Sequence, residues 1–252
     1  MERDTYEDGI PSWLDLSTSD LPGARTFYSA LFGWDVQEGP PEAGGYSLAF
    51  LKGRQVAGLA PAMHSGPPAW MHYVNVVDAD AVAAKVAAAG GQVIVAPMDV
   101  LTFGRMSVFA DPAGAVFGTW QPRDHPGAGL VNEPGTFCWS ELITTDVAGA
   151  TDFYRTVFAW AAHPVGEYVE FQRDGRPFAG MMAKPAEMPA EVPPMWGVYF
   201  AVDDTDATLA RARELGGSIL MGPTDIEPGR FAVLADPAGA VFNVIALAAP
   251  PS

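Results

Sequence analysis

The chain has 252 residues, and its 30 acidic against 14 basic side chains give a formal net charge of −16. Because this charge repels phosphate backbones and anionic lipid, we expect neither nucleic acid nor a membrane surface as a partner. The charged first segment lacks the apolar stretch of a signal peptide, no apolar run approaches the length of a bilayer span, and the single cysteine, Cys138, cannot form an internal disulfide. These features predict a cytoplasmic protein.

The sequence contains two copies of one long pattern. The copies begin at Trp13 and Trp139, and two longer segments repeat with them: FYSALFGW at 27–34 returns as FYRTVFAW at 153–160, and DPAGAVFGTW at 111–120 returns as DPAGAVFNVI at 236–245. Collinear agreement over such a length indicates a tandem duplication. We predict a first domain over 1–122, a linker over 123–133 and a second domain over 134–252, each long enough to bury its own core.

Each copy is expected to contain two units with the element order β-α-β-β-β. In the first unit, alternation over 13–18 predicts a strand, and a helix follows from the spacing of Leu21, Ala24, Phe27, Tyr28, Leu31 and Phe32. The second unit repeats this order with HYVNVVD, the helix ADAVAAKVAAAGG, and the strands QVIVAP, RMSVFAD and AVFGTW. An aspartate precedes every predicted helix and is explained as its N-cap: Asp20, Asp78, Asp146 and Asp204. Because one unit alone leaves a sheet face uncovered, we expect the units to pair around a cleft.

These units, the FY-x-x-x-F-x-W helix and the DP-x-G-x-x-F element resemble the glyoxalase/bleomycin-resistance/dioxygenase group, also called the vicinal oxygen chelate superfamily. The resemblance covers about residues 10–122 and 134–247. The first strands, which read W-x-[DE]-L at 13–16 and 139–142, further resemble duplicated bacterial proteins often labelled hydroxylases. The resemblance implies an α+β fold in which four modules pair into two glyoxalase-like domains with curved half-barrel sheets.

The resemblance also implies where a metal would be bound, because metal-dependent members carry His, Glu or Gln on the first strand of a module and Glu on the last. In the first copy the matching positions hold Trp13, Met71 and Gly118. In the second copy they hold Trp139, Gly197 and Asn243, of which only Asn243 is a weak donor. We therefore expect no metal and no cofactor.

Strand alternation predicts which side chains face each cleft instead. Asp15 lies on the same side of its strand as Trp13, and Tyr73 on the same side as Met71; Glu141 and Tyr199 correspond to them in the second copy. Each cleft is thus expected to hold a tryptophan, a carboxylate and a tyrosine. The predicted ligand-binding residues are Trp13, Met71, Tyr73, Gly118, Trp139, Tyr199 and Asn243.

Two structural explanations compete with a ligand site. The repeated tryptophans and tyrosines can be ordinary core packing, as is common for aromatic residues in strands. Asp15 and Glu141 can instead be paired with repeated arginines such as Arg54 and Arg176, because buried carboxylates are generally paired.

The sequence favours the metal-independent binding of a small, partly aromatic organic molecule, such as a secondary metabolite or antibiotic. The alternative is a lyase, isomerase or hydroxylase-like enzyme of the same fold, in which Asp15 or Glu141 moves a proton and Tyr73 or Tyr199 polarises an oxygen. A third hypothesis is a structural or interaction protein with closed clefts. The expected partner is a small molecule in the first two cases.

Overall fold

The computed structural model describes residues 1–62 and 66–248, and four β-α-β-β-β units follow one another along the chain. The first half comprises β1 (Pro11–Thr18), α1 (Leu21–Phe32), β2 (Asp35–Glu38), β3 (Ser47–Leu51), β4 (Arg54–Pro61), β5 (Ala69–Asn75), α2 (Ala79–Ala88), β6 (Gln92–Val100), β7 (Gly104–Ala110) and β8 (Val116–Pro122). The second half comprises β9 (Phe137–Thr144), α3 (Val147–Phe158), β10 (Ala161–Val165), β11 (Tyr168–Arg173), β12 (Arg176–Ala183), β13 (Met195–Ala201), α4 (Thr205–Glu214), β14 (Ser218–Ile226), β15 (Gly229–Ala235) and β16 (Val241–Leu247).

Each half forms its own eight-stranded mixed sheet. The strand order is β2-β3-β4-β1-β5-β8-β7-β6 in the first sheet and β10-β11-β12-β9-β13-β16-β15-β14 in the second. The first strands of two consecutive units, β1 and β5, lie antiparallel at the centre of the sheet. Strand β4 pairs in parallel with β1, and β8 pairs in parallel with β5. The predicted α+β class and the pairing of units within a half are confirmed, with open sheets rather than closed barrels.

Each of the four helices begins directly after the aspartate that was predicted to be its N-cap. The carboxylates of Asp20, Asp78, Asp146 and Asp204 each accept a hydrogen bond from a backbone N–H in the first turn, at 2.9–3.0 Å. A side-chain oxygen in this position satisfies one of the donors that a helix leaves free at its start. No helix within the described ranges is long and apolar enough to span a membrane.

The hydrophobic cores are shared between the halves. Helix α1 contacts α4, and α2 contacts α3, so each core cluster contains residues of both sheets. The repeated FY-x-x-x-F-x-W segments supply much of this contact. In one core Phe32 and Trp34 pack on Phe200, and in the other Phe158 packs on Phe117.

Hydrogen bonds reinforce this packing in both cores. The Tyr28 hydroxyl donates to Asp236 Oδ2 at 3.2 Å, and the Tyr154 hydroxyl donates to Asp111 Oδ2 at 3.1 Å. Each of these bonds joins one half to the other.

His72 also lies in this interface, buried against Trp196 at a ring-centroid distance of 4.5 Å. Neither ring nitrogen has a hydrogen-bond partner among the described residues, and burial lowers the pKa of His72 to about 3. The ring is therefore neutral and acts as core packing.

We expect fragments 1–122 and 134–252 to form stable structure when mixed, because each contains one complete sheet. Each fragment alone should melt at a much lower temperature and bind a hydrophobic dye, because its core faces lose their cover. Thermal melts and size-exclusion chromatography of the separate and mixed fragments measure this. Separate fragments that melt as high as the whole chain would show that the shared cores contribute little stability.

Candidate functional site

A half-buried carboxylate lies at the centre of the first sheet, between two tyrosines and a tryptophan. Trp13 and Asp15 are on β1, and Tyr73 lies opposite Trp13 on β5. Asp15 Oδ1 accepts a hydrogen bond from the Tyr73 hydroxyl and Oδ2 accepts one from the Tyr46 hydroxyl, both at 3.3 Å. The Tyr46 oxygen in turn accepts from Trp13 Nε1 at 2.9 Å. We call Trp13, Asp15, Tyr46 and Tyr73 the first carboxylate cluster.

The second sheet repeats this arrangement. Glu141 Oε1 accepts from the Tyr199 hydroxyl at 3.0 Å, and Oε2 accepts from the Tyr168 hydroxyl at 2.9 Å. Trp139 Nε1 donates to the Tyr168 oxygen at 3.0 Å. Trp139, Glu141, Tyr168 and Tyr199 form the second carboxylate cluster. The structure thus brings together the tryptophan, carboxylate and tyrosine that were predicted to share a side of each sheet.

Sequence reasoning missed Tyr46 and Tyr168, which complete the two clusters. Tyr46 directly precedes the third strand of its unit and Tyr168 begins it, and each reaches the carboxylate across the fourth strand. On that fourth strand, Gly58 is aligned with Asp15 and Gly180 with Glu141. The repeated sequence signal was therefore a tyrosine followed by an Ala-Gly pair in the next strand, VAGLA at 56–60 and FAGMM at 178–182.

The two aligned glycines make room for the tyrosine hydroxyls. A Cβ atom at position 58 would overlap the Tyr46 hydroxyl, and one at 180 would overlap the Tyr168 hydroxyl. Any larger residue would displace the phenol from the carboxylate. A side chain is excluded here by close approach, since neither glycine has a positive φ.

The carboxylates are not paired with arginine, so the ion-pair explanation is wrong. Arg54 binds Glu2 and Asp4, and Arg176 binds Glu7. Each cluster carboxylate is instead held by two neutral phenols.

Burial therefore dominates the electrostatics of the clusters. It raises the pKa of Asp15 to about 7, although the hydrogen bonds from Tyr73 and Tyr46 oppose the shift. Burial likewise raises the pKa of Glu141, against hydrogen bonds from Tyr168 and Tyr199. The pKa values of all four tyrosines are raised by burial and by the neighbouring carboxylate, so these phenols stay protonated.

The predicted metal positions do not have suitable donors. Trp13, Met71 and Gly118 supply no carboxylate or imidazole, and a Cβ at 118 would overlap the Tyr73 ring. In the second half, the Asn243 amide nitrogen donates to the Val198 carbonyl at 3.1 Å, and Gly197 has no side chain. No group of three His, Cys, Asp or Glu side chains within residues 1–62 and 66–248 is arranged to hold a metal ion. The donor set thus does not fit a divalent ion of the usual kind.

The two clusters differ in access. His125, from the predicted linker, packs edge-on against Trp13 at 4.3 Å between ring centroids, and its carbonyl accepts from Trp120 Nε1 at 2.8 Å. Trp13 is consequently 3% exposed, whereas Trp139 is only partly buried. Burial lowers the pKa of His125 to about 4, so this covering ring is neutral. The neighbouring residues differ as well, because Met71 and Gly118 of the first half correspond to Gly197 and Asn243 in the second.

Comparison with known proteins finds one family model, the glyoxalase/bleomycin resistance protein/dioxygenase superfamily, over residues 10–118 and 136–244. The Mycobacterium bovis protein CFP32, provisionally named a glyoxylase, is 44% identical over 97% of both chains. The anthracycline biosynthesis protein DnrV of Streptomyces peucetius is 38% identical over 96% of this chain and 94% of its own.

Solved structures of the same fold have much lower sequence identity. The Mn(II)-bound glyoxalase from Novosphingobium aromaticivorans has a TM-score of 0.66 at 17% identity, covering 95% of this chain and 83% of its own. The 2,3-dioxygenase LapB from Pseudomonas sp. KL28 has a TM-score of 0.67 at 14% identity, covering 98% and 96%. At such identities the likeness shows the fold alone.

The close approach at Gly180 yields a stability test. Gly180→Ala should lower the free energy of unfolding by about 1–3 kcal/mol, because Tyr168 must leave Glu141 with a buried carboxylate less well bonded. The matched control is Gly222→Ala on β14, where a Cβ meets no atom within 4 Å and the change should stay within about 0.5 kcal/mol. Denaturant titrations measure both.

A double-mutant cycle separates this clash from a general loss of strand stability. Gly180→Ala should cost less in a Tyr168→Ala background, because the overlap is already removed. An equal cost in both backgrounds would contradict the assigned role of Gly180.

The raised pKa of Asp15 predicts a pH dependence of stability. Between about pH 4 and 7 the unfolded chain loses the Asp15 proton while the folded chain keeps it, so this group's contribution falls as pH rises. Asp15 keeps some solvent contact, and the loss should be smaller than the about 4 kcal/mol that three pKa units represent. Asp15→Asn should remove this loss. The melting temperature of the variant minus that of the unchanged protein should therefore increase as the pH rises over that range. A difference in melting temperature that stays constant with pH would contradict the raised pKa of Asp15.

Proposed function

The chain belongs to the glyoxalase/bleomycin resistance protein/dioxygenase superfamily, and we propose that it binds a small, partly aromatic organic molecule without the aid of a metal. The observation that carries the proposal is the partly exposed indole of Trp139 beside the hydrogen-bonded carboxyl group of Glu141. An aromatic wall next to one oriented polar group is the usual composition of a small-molecule site.

The chemistry of the second carboxylate cluster indicates what such a ligand carries. Glu141 is oriented by two phenols and has no cationic partner, so its remaining hydrogen-bonding capacity is available to a ligand. Because the pKa of Glu141 is raised, the group can donate a hydrogen bond to a carbonyl when protonated or accept one from a hydroxyl when ionised. A ring system bearing hydroxyl or carbonyl groups suits both Glu141 and the indole of Trp139.

The second cluster is the better candidate for the ligand site. His125 covers Trp13 in the first cluster, whereas Trp139 keeps contact with solvent. Gly197 also takes the place of Met71 beside the carboxylate, and the Asn243 amide nitrogen lies 3.0 Å from where a Cβ at 197 would stand, so the groups beside the carboxylate differ from those of the first cluster. The relative DnrV, named for anthracycline biosynthesis, supports a ligand from secondary metabolism.

Enzymatic acid–base chemistry is the second candidate, because a carboxyl group whose pKa lies near neutrality is suited to proton transfer. Asp15, with its pKa raised to about 7, has this property. In such a lyase, isomerase or hydroxylase-like enzyme, Glu141 or Asp15 would move the proton and Tyr199 or Tyr73 would hold a substrate oxygen. The glyoxylase name of CFP32 supports this alternative.

We expect polycyclic phenols and quinones to bind the purified protein in the presence of a chelator, as measured by tryptophan fluorescence and calorimetry. Trp139→Ala should weaken binding by a few kcal/mol through the lost aromatic contact, while Glu141→Gln keeps the fold. The matched variant Asp15→Asn, in the covered cluster, should leave affinity unchanged. Elemental analysis should find no stoichiometric divalent ion.

The same variants separate binding from catalysis. If Glu141 is an acid or base, Glu141→Gln should keep most of the affinity but lower turnover about 10²–10⁴-fold. A panel in which no compound binds, or loss of binding on chelation, would contradict the proposal.

A further inference from the structure

A pocket lies beside the second carboxylate cluster, between the N-terminal segment and the second half. It has a volume of about 270 Å³ and is bordered by residues 3–11, by the start of β9, and by the hairpin that joins β11 to β12. This volume is just below the about 300–1,000 Å³ typical of ligand sites, so the pocket suits a small molecule. It shares only Trp139 with the second carboxylate cluster.

The charge of this pocket is opposite to that of the chain. Arg3, Arg173 and Arg176 line it against a single acidic residue, Glu7, in a protein of net charge −16. Guanidinium groups bind carboxylates in a planar, bidentate geometry. The pocket therefore attracts anions that the rest of the surface repels.

The three guanidinium groups are only weakly neutralised. Arg173 donates a hydrogen bond to the backbone carbonyl oxygen of Asp8, and this carbonyl group carries no charge. Arg176 meets Glu7 at 3.2 Å, but the two side chains are 71% and 57% exposed, so water screens the pair. Arg3 forms no ion pair with any residue that the structure describes.

The corresponding hairpin of the first half provides a contrast. There Lys52 binds Glu133 at 2.6 Å, and Arg54 binds both Glu2 and Asp4. The first hairpin thus has its cations matched by carboxylates, whereas the second presents two arginines to a pocket that contains one glutamate.

Apolar side chains complete the pocket. Phe137 is buried and Phe178 is half-buried, and Ile10, Pro11 and Pro177 lie beside them. A surface of this kind accommodates the body of an organic molecule, with the arginines placed to receive its charged end.

We propose that this arginine pocket, lined by Arg3, Arg173, Arg176, Phe137 and Phe178, binds a small organic anion that joins an aromatic or aliphatic body to a carboxylate. The site shares Trp139 with the ligand site proposed above, but its arginines are not part of the second carboxylate cluster, so binding that depends on the arginines is tested independently of Glu141. Cys138, the single cysteine of the chain, also lines the pocket. The rate at which its thiol is alkylated is therefore used below to follow occupancy of the pocket.

The test uses 2-naphthoate as the probe and 2-naphthylmethanol as its uncharged counterpart, with the full chain. Calorimetry should show that the anion binds at least tenfold more tightly than the alcohol. Saturating 2-naphthoate should slow the alkylation of Cys138 by at least threefold. The double variant Arg3→Gln/Arg176→Gln should lose at least tenfold in affinity for the anion.

Arg54→Gln is the matched control, because it removes an arginine of the same hairpin position that pairs with N-terminal acids but lies outside the pocket. It should bind 2-naphthoate like the unchanged protein. Equal losses in Arg54→Gln and in the double variant, equal binding of anion and alcohol, or an unchanged alkylation rate of Cys138 would each overturn the proposal. None of these outcomes depends on Glu141.

Discussion

The packing of two aromatic helix residues between the halves is the constraint on which the rest of the structure depends. Tyr28 accepts a hydrogen bond from Trp70 Nε1 at 2.9 Å and donates to Asp236, and Tyr154 does the same with Trp196 and Asp111. Trp70 lies on the helix-facing side of β5, so anchoring it determines which residues of that strand face the other side. Tyr73 thereby faces the carboxylate in the first half, and Tyr199 does so in the second.

The half-buried carboxylates of the two clusters are stabilised by phenols rather than by cations. A carboxylate removed from water is costly unless it is paired or hydrogen-bonded. Here two tyrosine hydroxyls supply the hydrogen bonds, and glycines at 58 and 180 allow one hydroxyl in each cluster to approach. Because this neutral arrangement offsets the cost of burial only in part, the pKa of each carboxyl group is raised.

The duplication has preserved the clusters while their surroundings have diverged. His125 covers the first cluster, and the exchange of Met71 for Gly197 changes the space beside the second. The interface diverges as well, since His72 in the first half corresponds to Val198 in the second. The two hairpins likewise differ in how their cations are neutralised. The tryptophan of the first cluster is therefore covered, while that of the second keeps solvent contact and borders the arginine pocket.

The sequence by itself determined the duplication, the order of the elements, the helix caps and the fold class, because these follow from repeats and local periodicity. It also predicted that Trp13, Asp15 and Tyr73 share one side of the sheet, since alternation within a strand is a local property. The hydrogen bonds of Tyr46 and Tyr168, the covering of Trp13 by His125 and the partners of the arginines were decided by the tertiary structure. These contacts join residues from different strands, or from the linker and a sheet, and no local period encodes the distance between such segments. Local patterns therefore predicted the architecture, and long-range packing determined which cluster's tryptophan keeps contact with solvent.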